Sequence, residues 1–125
     1  MFEVGGFDSS LLDEADERGD TEDKKEKIYT CIRCGSPIAP VHAEREIDGS
    51  FTHSFTNPHG IMFSIGCFSE APGCVAVGPS TAEFTWFPGY SWRICGCGVC
   101  GMHLGWEFFA EESGFFGLIL DNLSI

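Results

Sequence analysis

Hydrophobic and polar residues follow two different patterns along this chain of 125 residues. From Ile28 onward, apolar residues come in short runs broken by glycine and proline, and no segment sustains a period of 3.6. Residues 61–65 (Ile-Met-Phe-Ser-Ile), 91–94 (Ser-Trp-Arg-Ile) and 103–109 (His-Leu-Gly-Trp-Glu-Phe-Phe) read as short strands. Turns are predicted at residues 57–60 (Asn-Pro-His-Gly), Pro72-Gly73, Gly78-Pro79 and Pro88-Gly89. Strand side chains alternate, so Leu104, Trp106 and Phe108 are expected on one face. Residues 115–120 (Phe-Phe-Gly-Leu-Ile-Leu) read as a buried last strand. The pattern predicts an all-β domain of short antiparallel strands over residues 28–125. Residues 1–27 differ: the stretch 13–23 is charged and has no large apolar side chain. Such a segment cannot bury enough surface to offset chain entropy, so it is expected to be an acidic, disordered or loosely attached tail. Phe2, Phe7, Leu11 and Leu12 remain available there to dock or to serve a partner.

Two cysteine pairs add chemistry to this β pattern. Cys31-Ile-Arg-Cys34 and Cys97-Gly-Val-Cys100 are each followed by glycine, Gly35 and Gly101. A glycine in that place can take positive φ and fold the backbone back toward the sulfurs. Two such turns supply the four soft ligands of a tetrahedral zinc ion, so one structural Zn²⁺ held by Cys31, Cys34, Cys97 and Cys100 is expected. More than sixty residues separate the pairs, so the metal would clip the start of the domain to its far part. Such a clip helps a small core most. A closed four-thiolate site has no open position for a substrate water. Cys67, Cys74 and Cys95 are then spare and read as small buried hydrophobes.

Composition narrows the function. No apolar run approaches the ~20 residues of a membrane span, and the acidic start Met1-Phe2-Glu3-Val4 does not read as a signal peptide. With an odd number of cysteines, seven, the expectation is a cytoplasmic protein with reduced thiols. The net charge is −12, with ten acids against four bases in residues 1–27 and nine against three in residues 28–125. A phosphate backbone would be repelled by both parts, which argues against nucleic acid as a partner.

Trp86, Trp92 and Trp106 are the only tryptophans and fall within 21 residues. Core packing is their ordinary role, but Trp86 and Trp92 flank a Pro-Gly turn, a poor place to bury indoles. Gly101 and Gly105 would leave open backbone beside Trp106, as a pocket needs. In a two-residue hairpin at Pro88-Gly89, however, Trp86 and Trp92 would point to opposite faces. A shared pocket therefore requires a wider, irregular loop.

The run 84–92 (Phe-Thr-Trp-Phe-Pro-Gly-Tyr-Ser-Trp), then Cys97-x-x-Cys100 and residues 103–108 (His-Leu-Gly-Trp-Glu-Phe), resembles the thalidomide-binding (CULT) domain of the cereblon family. The turn at 57–60, the stretch 78–83 (Gly-Pro-Ser-Thr-Ala-Glu), the first cysteine pair and Phe116-Gly117-Leu118 are similar too, so the resemblance spans residues 28–123. It implies two small antiparallel sheets at a steep angle, joined at the zinc site in a tent-like arrangement. It also implies a cage whose walls are Trp86, Trp92 and Trp106, with Phe108 behind them and Asn57 and Pro58 closing it from the other sheet. The ligand would be a cyclic imide such as glutarimide, bonded to backbone at Phe84 and Trp86. Thalidomide-like molecules, uracil-like rings and cyclised protein C-termini are in the same class. Vertebrate members have histidine at the position of Phe84, a change that a backbone contact survives. The larger cereblon proteins carry a second domain and a surface that docks to a ubiquitin ligase; neither is expected to carry over, and the module is expected to act as a monomer.

Two other classes compete. An aromatic cage also holds quaternary ammonium groups, although only Glu83 and Glu107 lie near enough in sequence to help, and Glu107 should face away from Trp106. A methionine sulfoxide reductase-like enzyme would share a zinc-pinned β fold but needs a nucleophilic cysteine after the second pair, and none follows Cys100. His42, His53, His59 and His103 form no Ser-His-Asp pattern. The expectation is a non-enzymatic binding module.

Overall fold

The structure, a computed structural model, describes residues 27–125. The predicted acidic tail lies outside the described residues, apart from Lys27. Among the described residues, nine strands make two antiparallel sheets: β1 (Ile28–Cys31), β2 (Pro37–Pro40), β3 (Thr52–Thr56), β4 (Met62–Phe68), β5 (Cys74–Thr81), β6 (Ser91–Cys97), β7 (His103–Phe109), β8 (Gly114–Ile119) and β9 (Leu123–Ser124). The small sheet has the order β2-β1-β9, and the large one β3-β4-β8-β7-β6-β5. The only helical elements among the described residues are two short 3-10 turns, Val41–Ala43 and Leu120–Asn122. No helix there is long and apolar enough to cross a membrane.

The all-β architecture agrees with the sequence pattern, and four details differ from it. Gly78-Pro79 is not a turn between strands. It lies inside β5, where the register jumps from Val77↔Ile94 to Thr81↔Trp92. Gly78 at φ 76° lets the strand bulge out and resume. Residues 115–120 are not the last strand either. β8 ends at Ile119, a 3-10 turn follows, and β9 crosses to the small sheet to pair with β1. That return places the chain's last residues beside the first cysteine pair, where the Ile32 N–H donates to the Asn122 carbonyl (3.0 Å).

The third difference is in β7. Gly96 pairs with His103 but Cys95 pairs with Gly105, so Leu104 is an extra residue in the ladder. Instead of sharing a face with Trp106 and Phe108, Leu104 packs in a cluster with Cys95 and Leu118, while Trp106 and Phe108 belong to a second cluster with Ile65, Phe87 and Phe115. Gly105 does not open the backbone for a pocket. A Cβ there would lie 2.1 Å from the Gly117 carbonyl oxygen, so glycine lets β7 approach β8.

The fourth concerns Asn57 and Pro58, which belong to the large sheet and not to the other one. β4 pairs with β3 over Met62–Gly66 but with β8 only over Ile65–Phe68. The β3–β4 hairpin therefore projects past the end of β8, and its turn reaches the cavity face without leaving the sheet.

Candidate functional site

The two C-x-x-C turns close as their glycines suggest. Gly35 and Gly101 stand at φ 78° and 80°, and their N–H groups donate to the carbonyls of Cys31 (2.8 Å) and Cys97 (2.9 Å). All four sulfurs lie within 4.8 Å of one another, with Cys31 and Cys100 Sγ 3.6 Å apart and Cys34 and Cys97 Sγ likewise 3.6 Å apart. The four cysteines can hold one metal ion. The Ser36 hydroxyl sits 3.2 Å from Cys34 Sγ and 3.3 Å from Cys97 Sγ, and the amides of Val99 and Cys100 point at Cys97 Sγ from 3.4 and 3.5 Å. Burial pushes the Cys97 thiol up, but the Ser36 hydroxyl and these two amides outweigh it and bring it down to about 6. Such donors favour the thiolate, the form a metal needs.

The spare thiols have the opposite character. Cys67 and Cys95 are buried. Burial raises Cys67 to about 11. Cys95 is raised first by its hydrogen bond with half-buried Cys74 and then by burial. Protonated, enclosed thiols behave as small hydrophobes.

The second feature is a cavity of about 690 Å³. The seven residues singled out from the sequence, Asn57, Pro58, Phe84, Trp86, Trp92, Trp106 and Phe108, all line it, together with His59, Phe63, Ile94 and His103. Trp106 on β7 is only 8 % exposed. Its ring stands edge-to-face with Trp86, with centroids 4.8 Å apart. Phe63 supports it from β4 at 5.2 Å, and Phe55 stacks flat on Trp86 at 4.9 Å. Phe108 is fully buried, stacked on Phe115 and crossed by Phe87.

The segment between β5 and β6 is the wide, irregular loop that a shared pocket requires. Its Pro88-Gly89 turn is closed by the Tyr90 N–H donating to the Phe87 carbonyl (3.0 Å). Phe87 is buried beneath the cavity, which anchors the loop and lets Trp86, one residue earlier, face inward. Phe84 has φ 57°, in the left-handed region that costs a non-glycine residue roughly 1–2 kcal/mol. Its side chain is 68 % exposed. At the opposite rim, Asn57 Oδ1 accepts from the amides of His59 and Ile61, both 2.9 Å, which shapes the β3–β4 turn.

Four lining residues were missed by sequence reasoning, each for a definable reason. His59 shares its turn with Asn57 and Pro58. Ile94 alternates with Trp92 on β6, so period-2 reasoning could have found it. Phe63 lies directly across the ladder from Phe55, a pairing the sequence does not print. His103 is odd-spaced from Trp106 and should point the other way. The bulge at Leu104 reverses that and sets the two rings edge-to-face at 5.0 Å. His103 Nε2 lies 3.2 Å from the Gly105 carbonyl. Burial lowers its pKa, partly opposed by that bond.

No carboxylate lines the cavity among the described residues. Glu107, as expected, turns away, pairing with Arg93 at 3.1 Å.

Fold and site together define a two-sheet β domain with a four-cysteine clasp and a tryptophan-lined cavity. No family model matches the chain. It is similar to the cereblon protein of Gallus gallus, 34% identical over 88 residues that cover 70% of this chain and 16% of that relative. The cereblon protein of Drosophila virilis is 32% identical over 116 residues, covering 85% and 18%. That of Drosophila willistoni is 50% identical over 118 residues, covering 82% and 18%. The chain belongs to the cereblon family, through a domain of the CULT type. It spans less than a fifth of the length of these relatives.

Proposed function

We propose that the domain is a non-enzymatic, zinc-pinned module that holds a small cyclic imide between Trp86, Trp92 and Trp106. The observation that carries this reading is the chemistry of the cavity lining. It is aromatic on several sides, has few polar groups and has no carboxylate among the described residues. A quaternary ammonium reader gains from negative charge at its cage; a neutral ring does not need it. An imide such as glutarimide presents carbon faces to the indoles, and each buried CH₂ contributes about 0.8 kcal/mol. Its edge offers acceptor, donor, acceptor, the complement of main-chain groups at Phe84 and Trp86. A ring lacking that edge leaves the protein's own polar groups unpaired. Thalidomide-like molecules, uracil-like rings and a cyclised protein C-terminus present related edges. For a ligand of so few atoms, affinity of about micromolar order is expected.

Zinc suits the clasp. A tetrahedral ion with bonds of about 2.3 Å sets its sulfurs about 3.8 Å apart, close to the separations of 3.6 Å. Bound there, Zn²⁺ supplies cross-linking and no catalytic position, and the thiolate-favouring donors around Cys97 suit it.

Titrating the full chain with glutarimide and with N-methylglutarimide, read by tryptophan fluorescence and calorimetry, tests the proposal. Glutarimide should bind, and the N-methyl compound, which lacks the donor and adds bulk at the edge, should not. Equal binding of the two, or tighter binding of tetramethylammonium than of either, would overturn the imide reading.

A further inference from the structure

Trp92 does more than form a wall. Leaving β5 at Thr81, the chain turns through Glu83 and Phe84 before reaching Trp86. Thr81 and Trp92 are register partners on neighbouring strands, so the indole of Trp92 can reach over this turn. Its Nε1–H donates to the Glu83 carbonyl at 2.7 Å. The Glu83 N–H donates to Thr81 Oγ1 at 3.1 Å. Glu83 is thus held on both sides, and the bond to its carbonyl fixes the plane of the peptide group between residues 83 and 84.

That plane determines the backbone of Phe84. Rotating a peptide group about its ends changes ψ of the preceding residue and φ of the following one. Turns that differ by a flip of the central peptide carry their third residue at φ of about +80° or about −90°. Phe84 stands at 57°, on the strained branch. A flip would return it to ordinary negative φ and swing the Glu83 carbonyl away from the indole. The turn therefore has two arrangements, and the indole N–H favours the strained one.

We propose that Trp92 is a positioning residue whose indole N–H latches the 83–84 peptide, holding Phe84 in left-handed backbone so that the main chain at residues 84–86 faces the cavity in a binding-competent form. The use of that backbone by a ligand rests on the imide reading; the latch itself does not. One ring would then both cover the ligand and set the hydrogen-bonding edge that selects it.

The experiment replaces Trp92 in the full chain by 3-benzothienylalanine, which keeps the size and flatness of the ring but has sulfur in place of N–H. Trp92→Phe serves as a second, coarser variant. Residue 84 is followed by NMR through its amide–Hα coupling and intraresidue nuclear Overhauser effect, and glutarimide affinity by titration. With the N–H gone, residue 84 should move to φ near about −90°, with a larger coupling and a weaker intraresidue nuclear Overhauser effect, and affinity should fall about tenfold, the upper range for one hydrogen bond. Melting temperature and metal content should hold. In a Phe84→Gly background, where positive φ has no steric cost, the same replacement should lower affinity by less than about threefold. An unchanged coupling at residue 84 with the analogue in place overturns the latch. If the parent chain binds no glutarimide, the imide reading fails and the coupling alone decides the latch.

Discussion

In the cysteine clasp, four sulfurs come from two short turns, and each turn is closed by a hydrogen bond within five residues of its own start. In the aromatic cavity, eleven side chains come from the β3–β4 turn, β4, the β5–β6 loop, β6 and β7. The clasp depends on local spacing plus one long-range meeting. The cavity depends on cross-strand register, two bulges and one residue in strained backbone. A region of the first kind tolerates change around it and fails at its ligands. A region of the second kind can be altered by a substitution far from any ligand contact.

The largest effect is expected at the clasp. Structural zinc contributes on the order of 10–16 kcal/mol of apparent binding free energy, as much as or more than the about 5–15 kcal/mol that holds a typical domain folded. Cys97→Ser should therefore abolish cooperative unfolding by circular dichroism and reduce bound zinc, as should chelation of the parent chain. A variant that still melts cooperatively without metal would show that the β core suffices.

Next comes Trp106→Ala, which empties a buried site supported by Trp86, Phe63 and His103. A loss of about 3–5 kcal/mol in denaturant unfolding is expected, together with loss of the glutarimide-induced fluorescence change. Retention of that change would remove Trp106 from the cage.

Gly105→Ala probes the link between the two regions, since β7 runs from the second cysteine turn to the cavity. Its Cβ would meet the Gly117 carbonyl oxygen at 2.1 Å and Leu118 Cα at 2.9 Å, both main-chain atoms that cannot rotate away. Destabilisation of about 1–3 kcal/mol should appear with zinc still bound. An unchanged melting curve would mean that β7 and β8 separate easily.

The smallest effect is a pH dependence. Burial keeps the His103 pKa below its ordinary value of 6.5 in the folded chain. The unfolded chain therefore takes up the proton first. Stability from this residue is intact above about 6.5 and falls as the pH drops through and below it. Thermal melts of the parent and of His103→Gln at a series of pH values isolate this contribution, because metal release at low pH is common to both. The parent should lose more stability between pH 7 and 5. Identical slopes would place His103 in contact with water.

Much of both regions is legible in the order of residues. Two C-x-x-C-G turns specify the clasp because two intervening residues and a glycine suffice to aim two sulfurs at one point. The short strands follow from apolar runs punctuated by glycine and proline. The aromatic cluster was visible as spacing, and its assembly was implied by family resemblance, not by periodicity. What alternation could not reach was decided by long-range pairing. His103 turns inward because Leu104 bulges. Gly78-Pro79 bows out of β5 and does not end it. Asn57 arrives at the cavity on a hairpin of the large sheet because β8 pairs only with the later part of β4 and leaves the β3–β4 turn beyond its end. Trp92 finds the Glu83 carbonyl because the ladder sets it beside Thr81. Alternation is a property of a strand alone, whereas register and bulges belong to pairs of strands and settle only when both faces of a sheet have packed.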